Sequence, residues 1–381
     1  MVDIHDFDDI RPFLPEELPE VFERLIKDES FQNVIKTIHP DVPVEKIAEL
    51  IRSCKSNYEF QLKLIYPILE KLLSKASTGI TSDYTSINKC NGYTFVSNHR
   101  DIVLDSALLD VTLINEGYDT VEIAIGDNLL VFPWIKDLVR VNRSFIVQRA
   151  LTMRQMLMAS AKMSRYMHYV IKEKQSNLWI AQREGRAKDS NDLTQESVIK
   201  MMAMGGESKD VIENLKEMNI VPLAISYEYD PCDYLKAEEF QNKRDIEGFK
   251  KSQQDDLDNM RIGIFGYKGH IHYHAAPCIN DWLDSIDPDT PKTDLFRLIA
   301  EHIDKEIHKN YRLYPCNKAA LSLLDDKYIN LSSDEERAAF EKYLEGKLKQ
   351  ITLKNPDYDF LRNRLLTMYA YPALNQIKAL E

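Results

Sequence analysis

Apolar residues recur every three to four positions in the first and the last parts of the chain. Between Pro15 and Ala76 this spacing predicts a group of short helices, interrupted at Pro40 and Pro43 because proline breaks a helix. The last third shows the same spacing at Thr293 to His308, Ser333 to Lys349 and Tyr358 to Lys378. The turn-rich stretch from Ser77 to Asp83 predicts a connector after the first helical group.

The middle of the chain alternates short β-type runs with helical stretches. The predicted strands are Tyr93 to Ser97, Thr120 to Ile125, Ser144 to Val147, Asn177 to Ala181, Ile220 to Tyr227 and Ile271 to Ala275. The predicted helices between them are Ser106 to Glu116, Leu129 to Val139, Leu151 to Glu173 and Asp210 to Met218. This alternation favours an α/β fold with a mostly parallel sheet flanked by helices.

The same pattern divides the chain into three parts. We predict a helical N-terminal subdomain over 1–80, an α/β domain over 81–320 and a helical C-terminal segment over 321–381. A chain of 381 residues, of which 44% are hydrophobic, is large enough to bury a sizeable core.

Charge and cysteine usage narrow the class of protein. The net charge of −12 argues against nucleic-acid binding and against broad attraction to anionic lipid, although a local basic patch can still hold a phosphate. Five cysteines without a Cys-x-x-Cys pair indicate neither a disulfide framework nor a structural zinc site. With no signal-like start and no apolar run near the roughly 20 residues that span a bilayer, we expect a cytoplasmic protein. Any contact with the membrane is then peripheral, at its inner face.

The stretch from Asn98 to Asp105 follows an apolar run and carries a histidine with acidic neighbours. A neutral imidazole takes a proton from a hydroxyl near pH 7, and a carboxylate on its other nitrogen fixes the tautomer and stabilises the imidazolium. No serine or cysteine stands nearby at a nucleophile elbow. His99 is therefore a candidate general base, with Asp101 or Asp105 as the orienting acid.

Four stretches resemble, in order, the motif blocks of the glycerol-3-phosphate and lysophosphatidate acyltransferases. They are Asn98 to Asp105, Ala124 to Leu130 with Ser144 to Arg149, Glu184 to Lys188, and Ile220 to Glu228. The Val-Pro strand of the last block is closer to the glycerol-3-phosphate branch. The chain departs from the family in having five residues between His99 and Asp105, where the family usually has four. It also has Glu-Gly-Arg where the family has Glu-Gly-Gly-Arg or Glu-Gly-Thr-Arg.

The resemblance implies transfer of a fatty acyl group from a thioester to a hydroxyl. The donor is acyl-CoA or acyl carrier protein, the acceptor is glycerol-3-phosphate or lysophosphatidate, and no other cofactor or metal is expected. His99 is then the base. Asp105 is favoured as its partner because it lies near the start of a predicted helix, where it can cap backbone N–H groups and still reach the imidazole. The positions assigned to substrate binding, the last three of them to the phosphate, are Arg149, Glu184, Gly185, Arg186 and Lys188.

Other interpretations stay open. The acceptor could be a different one, such as an amino-acid lipid, or the chain could bind lipid without turnover. His270, His272 and His274 alternate along a predicted strand, as in some metal sites, but no acid or cysteine cluster accompanies them. The methionine-rich helical face from Met153 to Met167 is more typical of a core or of a wall along an acyl chain than of a cofactor site. Burial in the core is the simpler interpretation.

Overall fold

The N-terminal part of the protein is helical, as predicted. The computed structural model describes residues 3–149 and 152–381. The first helices are α1 (Leu18–Lys27), α2 (Glu29–Ile38), α3 (Val44–Ser53), α4 (Asn57–Phe60) and α5 (Tyr66–Ala76). The side chain of Asp28 starts α2 by accepting a hydrogen bond from the N–H of Phe31. Buried Phe22, Leu25 and Phe60 hold this group of helices together.

Within residues 3–149 and 152–381, seven strands form one sheet in the order β1-β7-β6-β2-β5-β3-β4. Their bounds are β1 Gly79–Asp83, β2 Thr94–Ser97, β3 Val121–Gly126, β4 Ser144–Val147, β5 Asn177–Ala181, β6 Ile220–Tyr227 and β7 His270–Ala275. The run β6-β2-β5-β3-β4 is parallel throughout. Strand β7 is antiparallel to β6, and β1 is parallel to β7. The fold is therefore α/β with a mostly parallel sheet flanked by helices, as the sequence predicted.

The remaining helices connect the strands and form the C-terminal region. They are α6 (Leu104–Asn115), α7 (Pro133–Val141), α8 (Met153–Lys172), α9 (Glu196–Ala203), α10 (Val211–Lys216), α11 (Asp233–Asp245), α12 (Gln253–Phe265), α13 (Asn280–Leu283), α14 (Lys292–Lys309), α15 (Pro315–Leu324), α16 (Asp334–Leu348) and α17 (Tyr358–Leu380). Helix α7 begins later than predicted because Pro133 fits the first turn of a helix. Helix α11 was not predicted, since it buries charged residues such as Asp233 and Lys236 and lacks apolar spacing.

Strand β2 lies in the middle of the sheet, and its four residues are buried. Successive side chains of a strand point to opposite faces, so Phe95 and Val96 enter different cores. Phe95 packs in the same cluster as Leu108 of α6. Val96 packs with a cluster that includes Tyr166 of α8 and Ile303 of α14. Both faces of the sheet are therefore covered by helices, which holds the end of β2 in a fixed position.

Two expectations from the sequence are wrong. The stretch predicted as a connector contains the edge strand β1, which pairs with β7. The methionine-rich face of α8 is not a core face along its whole length, because Met153, Met156 and Leu157 are exposed and burial begins at Met163. The predicted start of this helix at Leu151 lies outside the described residues.

The three-part division stays a prediction, and β1 runs across its boundary at residue 80. In the described ranges 3–149 and 152–381, we find no helix with both the length and the apolar character needed to cross a bilayer.

Candidate active site

Loops that follow the parallel strands meet at one edge of the sheet. His99 follows β2, Arg149 follows β4, and the segment 182–188 follows β5. Strands β2 and β5 are neighbours, and the N–H of Gln182 donates a hydrogen bond to the carbonyl of Ser97 at 2.8 Å. The loop after β5 therefore starts beside the loop that carries the histidine.

His99 and Asp105 form the central contact of this edge. Nδ1 of the imidazole lies 2.8 Å from Oδ2 of Asp105, and the two side chains are 14% and 1% exposed. Because an ionised carboxylate only accepts hydrogen bonds, Nδ1 carries the proton and Nε2 presents a lone pair. No hydrogen bond from residues 3–149 or 152–381 reaches Nε2. The carboxylate therefore holds the imidazole in one orientation and leaves Nε2 available to a ligand.

Asp105 also organises the backbone of the histidine loop. Its Oδ2 accepts hydrogen bonds from the N–H of Arg100 at 2.6 Å and the N–H of Asp101 at 3.0 Å. The same oxygen therefore fixes both the loop and the imidazole, so the ring cannot turn without disturbing the backbone.

Asp101 has the capping role that the sequence suggested for Asp105. Its Oδ1 accepts hydrogen bonds from the N–H groups of Val103 and Leu104, at 2.9 and 2.8 Å, at the start of α6. It makes no hydrogen bond to His99 within residues 3–149 and 152–381. Burial, together with the charge of Asp105, raises the pKa of the Asp101 carboxyl. One aspartate thus caps the helix, which leaves the other free to hold the imidazole.

Two further side chains hold the histidine loop in place. The buried amide of Asn98 makes a pair of hydrogen bonds with the backbone of Ile225 in β6, at 2.8 and 2.9 Å. Trp179 of β5 packs edge-on against the imidazole, with ring centroids 6.1 Å apart. Its indole N–H donates to Oγ of Ser97 at 3.0 Å. These contacts tie His99 to both neighbours of β2.

Arg149 and Glu184 form an ion pair at the outer rim of the site. Nη1 of Arg149 lies 3.2 Å from Oε1 of Glu184, and the two side chains are 36% and 71% exposed. The N–H of Arg149 also donates to Oδ1 of Asp127 at 3.2 Å. The guanidinium passes over Gly126, where an added Cβ would lie 2.8 Å from its Nε. These contacts therefore hold Arg149 in position, and its side chain remains accessible to a ligand.

Arg186 and Lys188 point inward rather than into open solvent. Nη2 of Arg186 donates to Oδ1 of Asn259 at 3.3 Å, and Nζ of Lys188 lies 3.1 Å from Oε2 of Glu239. Burial and the neighbouring Arg186 lower the pKa of Lys188 to about 7. Gly185, between Glu184 and Arg186, has a φ of 68° and open space around its Cα, which suits a close approach of the backbone to a ligand.

A pair of buried polar residues beside the histidine loop was not predicted from the sequence. Gln182 and Asp192 are fully buried, and their side-chain oxygens make no hydrogen bond within residues 3–149 and 152–381. Asp192 lies 3.7 Å from Nη1 of Arg100, and burial raises the pKa of its carboxyl. Gln182 could have been noticed as the residue that ends a strand just before the Glu-Gly motif. Asp192 lies in a polar stretch that carries no such signal.

Each of the three histidines of β7 has a polar side chain close to its Nδ1. Nδ1 of His270 lies 2.9 Å from the hydroxyl of Tyr314, and Nδ1 of His272 lies 2.8 Å from Oγ1 of Thr81. Burial lowers the pKa of His272 to about 4. Across the described ranges, no group of three or more His, Cys, Asp or Glu side chains converges as metal ligands would.

Comparison with known proteins adds a structural likeness. No protein-family model matches the sequence, and no curated protein matches it. A crystal structure of the 1-acyl-sn-glycerophosphate (LPA) acyltransferase PlsC from Thermotoga maritima is similar to this chain, with a TM-score of 0.38 and 9% sequence identity. The likeness covers 78% of this chain and 97% of that protein. The case for a function therefore rests on the site itself and on the sequence motifs.

Proposed function

We propose that the protein is an acyltransferase that moves a fatty acyl group from a thioester to a hydroxyl of a phosphorylated glycerol. The observation that carries this proposal is the hydrogen bond between His99 and Asp105, at the carboxyl edge of the sheet, which leaves Nε2 free. The order of the four motif stretches supports the same function.

The chemistry follows from the free nitrogen. Nε2 of His99 takes the proton of the acceptor hydroxyl, and the oxygen attacks the thioester carbonyl carbon to form a tetrahedral oxyanion. When the oxyanion collapses, the carbon–sulfur bond breaks and the leaving thiolate receives the proton from the imidazolium. Asp105 stabilises the positive charge of the imidazolium between these two steps. General-base help of this kind contributes on the order of 10²–10⁴ in rate, and positioning of the two substrates supplies much of the rest.

The acceptor would bind through the cations around the loop after β5. Arg149 is the most accessible of them, and its planar guanidinium suits phosphate oxygens. Glu184 orients Arg149, and Gly185 lets the backbone approach the anion. Arg186 and Lys188 lie deeper and add positive charge behind the loop.

The identity of the acceptor, the identity of the donor and the location of the enzyme are proposed from the sequence. The N-terminal helices and the Val-Pro strand favour glycerol-3-phosphate over lysophosphatidate as the acceptor. The donor is acyl-CoA or acyl carrier protein. The enzyme would work in the cytoplasm, in peripheral contact with the inner face of the membrane, since its product is hydrophobic.

Product analysis with a base variant tests the proposal. The full chain is incubated with acyl-CoA and either glycerol-3-phosphate or lysophosphatidate, and the acylated product is measured by mass spectrometry. Mass detection avoids thiol reagents, which would also label the exposed Cys90. We expect His99→Ala to abolish product formation, whereas His5→Ala, which removes a histidine that is 63% exposed, keeps it.

Thermal unfolding of both variants checks that they remain folded. Substantial product from folded His99→Ala would refute the mechanism. Binding of acyl-CoA by the wild-type protein without product from any acceptor would instead favour a lipid-binding protein.

A further inference from the structure

The first two turns of α8 lie at the surface of the protein. All residues from 152 to 158 are exposed, and we call this segment the α8 tip. Its four apolar side chains, Met153, Met156, Leu157 and Met158, are 88%, 49%, 62% and 65% exposed. Isolated exposed apolar residues are ordinary, but a contiguous group of large ones marks a surface that binds something.

The α8 tip is a formed helix end. Thr152 and Gln155 make a capping box, in which each side chain bonds the backbone of the other residue. Met153, Met156 and Leu157 are spaced as i, i+3 and i+4, so they share one side of the helix. These three side chains are therefore presented together on a formed helix end, and Met158 lies on the neighbouring side of the helix.

The stretch of sequence around the α8 tip carries only basic charges, in contrast to the rest of the chain. The protein has a net charge of −12, yet its sequence has no acidic residue between Asp137 and Glu173. Arg154 lies within the tip and Arg165 follows three turns later, and both are exposed. Neither forms an ion pair with a residue in 3–149 or 152–381. Exposed apolar side chains flanked by cations suit a surface that is apolar inside and anionic outside.

The α8 tip follows closely in the chain after Arg149, a residue of the candidate active site. Arg149, three residues before Thr152, pairs with Glu184 in the loop after β5. The same loop begins beside His99 through the hydrogen bond from Gln182 to Ser97. A surface held by the α8 tip would therefore lie a short distance from Arg149, at the rim of the site.

We propose that the α8 tip docks the protein on a bilayer that contains anionic lipid, with Met153, Met156, Leu157 and Met158 in the interface and Arg154 at the lipid headgroups. The inference deepens the proposed function and rests on it in one respect: it names the surface from which an amphiphilic substrate enters and to which the product returns. A second copy of the chain is a poorer partner, since a symmetric contact would bring the cationic tips of two copies together.

Vesicle flotation with a matched pair of variants tests the docking surface. The full-length protein is mixed with vesicles of phosphatidylcholine alone or with added phosphatidylglycerol. We expect the wild type to float with the vesicles that contain phosphatidylglycerol. In the double variant Leu157→Gln and Met158→Gln, partitioning should fall by about tenfold or more, because two apolar side chains no longer enter the interface. The control is Leu380→Gln, which removes an apolar side chain that is 69% exposed at the other end of the chain.

A variant of Arg154 separates the electrostatic contribution to vesicle binding from the contribution of the apolar side chains. Arg154→Gln should weaken binding to vesicles that contain phosphatidylglycerol and leave weak binding to phosphatidylcholine alone unchanged. Arg261→Gln, on α12, removes an arginine that is 69% exposed and should have no effect. Equal flotation of the wild type and the double variant would overturn the proposal. So would a wild type that does not float but forms a dimer that the double variant loses.

The docking surface and the acyltransferase activity can be tested separately. Turnover of a short-chain, monomeric thioester is measured without vesicles. Flotation without turnover would refute the acyltransferase and keep the docking surface, whereas turnover without flotation would refute only the docking surface.

Discussion

Replacing each of the two aspartates beside His99 by asparagine gives the sharpest test of the site. Asparagine at position 105 keeps an oxygen for the N–H groups of Arg100 and Asp101, so the loop should hold its shape. It removes the negative charge that lies 2.8 Å from Nδ1. At an effective dielectric constant of about 20, two unit charges at that distance interact with about 6 kcal/mol.

Since about 1.4 kcal/mol corresponds to a factor of ten in rate, Asp105→Asn should lower kcat by up to about 10⁴. A loss of similar size is known for the aspartate of the serine-protease triad. Asp101→Asn is the matched control, because it makes the same change in the same loop at a residue whose side chain, within residues 3–149 and 152–381, bonds only N–H groups at the start of α6. We expect it to lower kcat by less than about tenfold, or about 1.4 kcal/mol.

The assay is steady-state product formation at saturating acceptor, with thermal unfolding to show that both variants are folded. Equal losses in the two variants would refute the argument from charge. A larger loss in Asp101→Asn would transfer the orienting role to Asp101.

Three further predictions concern the surroundings of the dyad. Arg149→Gln should raise the KM for the phosphorylated acceptor by about tenfold or more, since a charge-assisted hydrogen bond contributes about 1.5–3 kcal/mol; an effect on the donor KM alone would contradict the assignment. Because the pKa of Lys188 is lowered to about 7, it carries its charge below that pH and loses it above. The acceptor KM should therefore rise as the pH increases through 7, and Lys188→Met should remove this rise; a rise of equal size in the variant would rule out Lys188. Gly263→Ala places a Cβ 2.2 Å from Oδ2 of Asp101 and should lower both the thermal stability and kcat, whereas Gly346→Ala, in open space on α16, should stabilise the protein by about 0.5–1 kcal/mol. Stabilisation in both glycine variants would show that Asp101 can shift away from the new Cβ without a loss of stability.

The sequence predicted the parts of the fold that local patterns determine. Strands β2 to β7 lie within one or two residues of their predicted bounds, because their apolar runs are continuous or alternate regularly. Strand β1 was missed, since Gly79, Thr81 and Ser82 have no strand-type apolar pattern and only pairing with β7 makes the segment extended. The exposed α8 tip was missed for a related reason. Periodicity shows that a helix has an apolar face but not what covers that face.

In the candidate site, too, some contacts could be predicted from the sequence and others could not. The contact between His99 and Asp105 was predictable because both residues lie in one short loop and their chemistry is complementary. The capping role of Asp101 was assigned to the wrong aspartate, since the first residue of α6 decides it and helix starts are poorly determined by sequence. Lys188 points inward because it pairs with Glu239 in α11. Helix α11 was not predicted, since its buried positions include charged residues.

The central place of β2 in the sheet has a consequence for how the site forms as the chain is synthesised. The N–H of Tyr93, just before β2, donates a hydrogen bond to the side chain of Asn177, which is 84 residues away. The side-chain amide of Asn98, just after β2, donates to the carbonyl of Ile225, which is 127 residues away. A ribosome must therefore release the chain beyond residue 227 before β2 has both neighbours. Until then the apolar strand that leads to His99 has at least one unpaired edge, and an unpaired edge is exposed to misassociation. Folding of the histidine loop is thus a late event, although the loop is encoded in the first third of the chain.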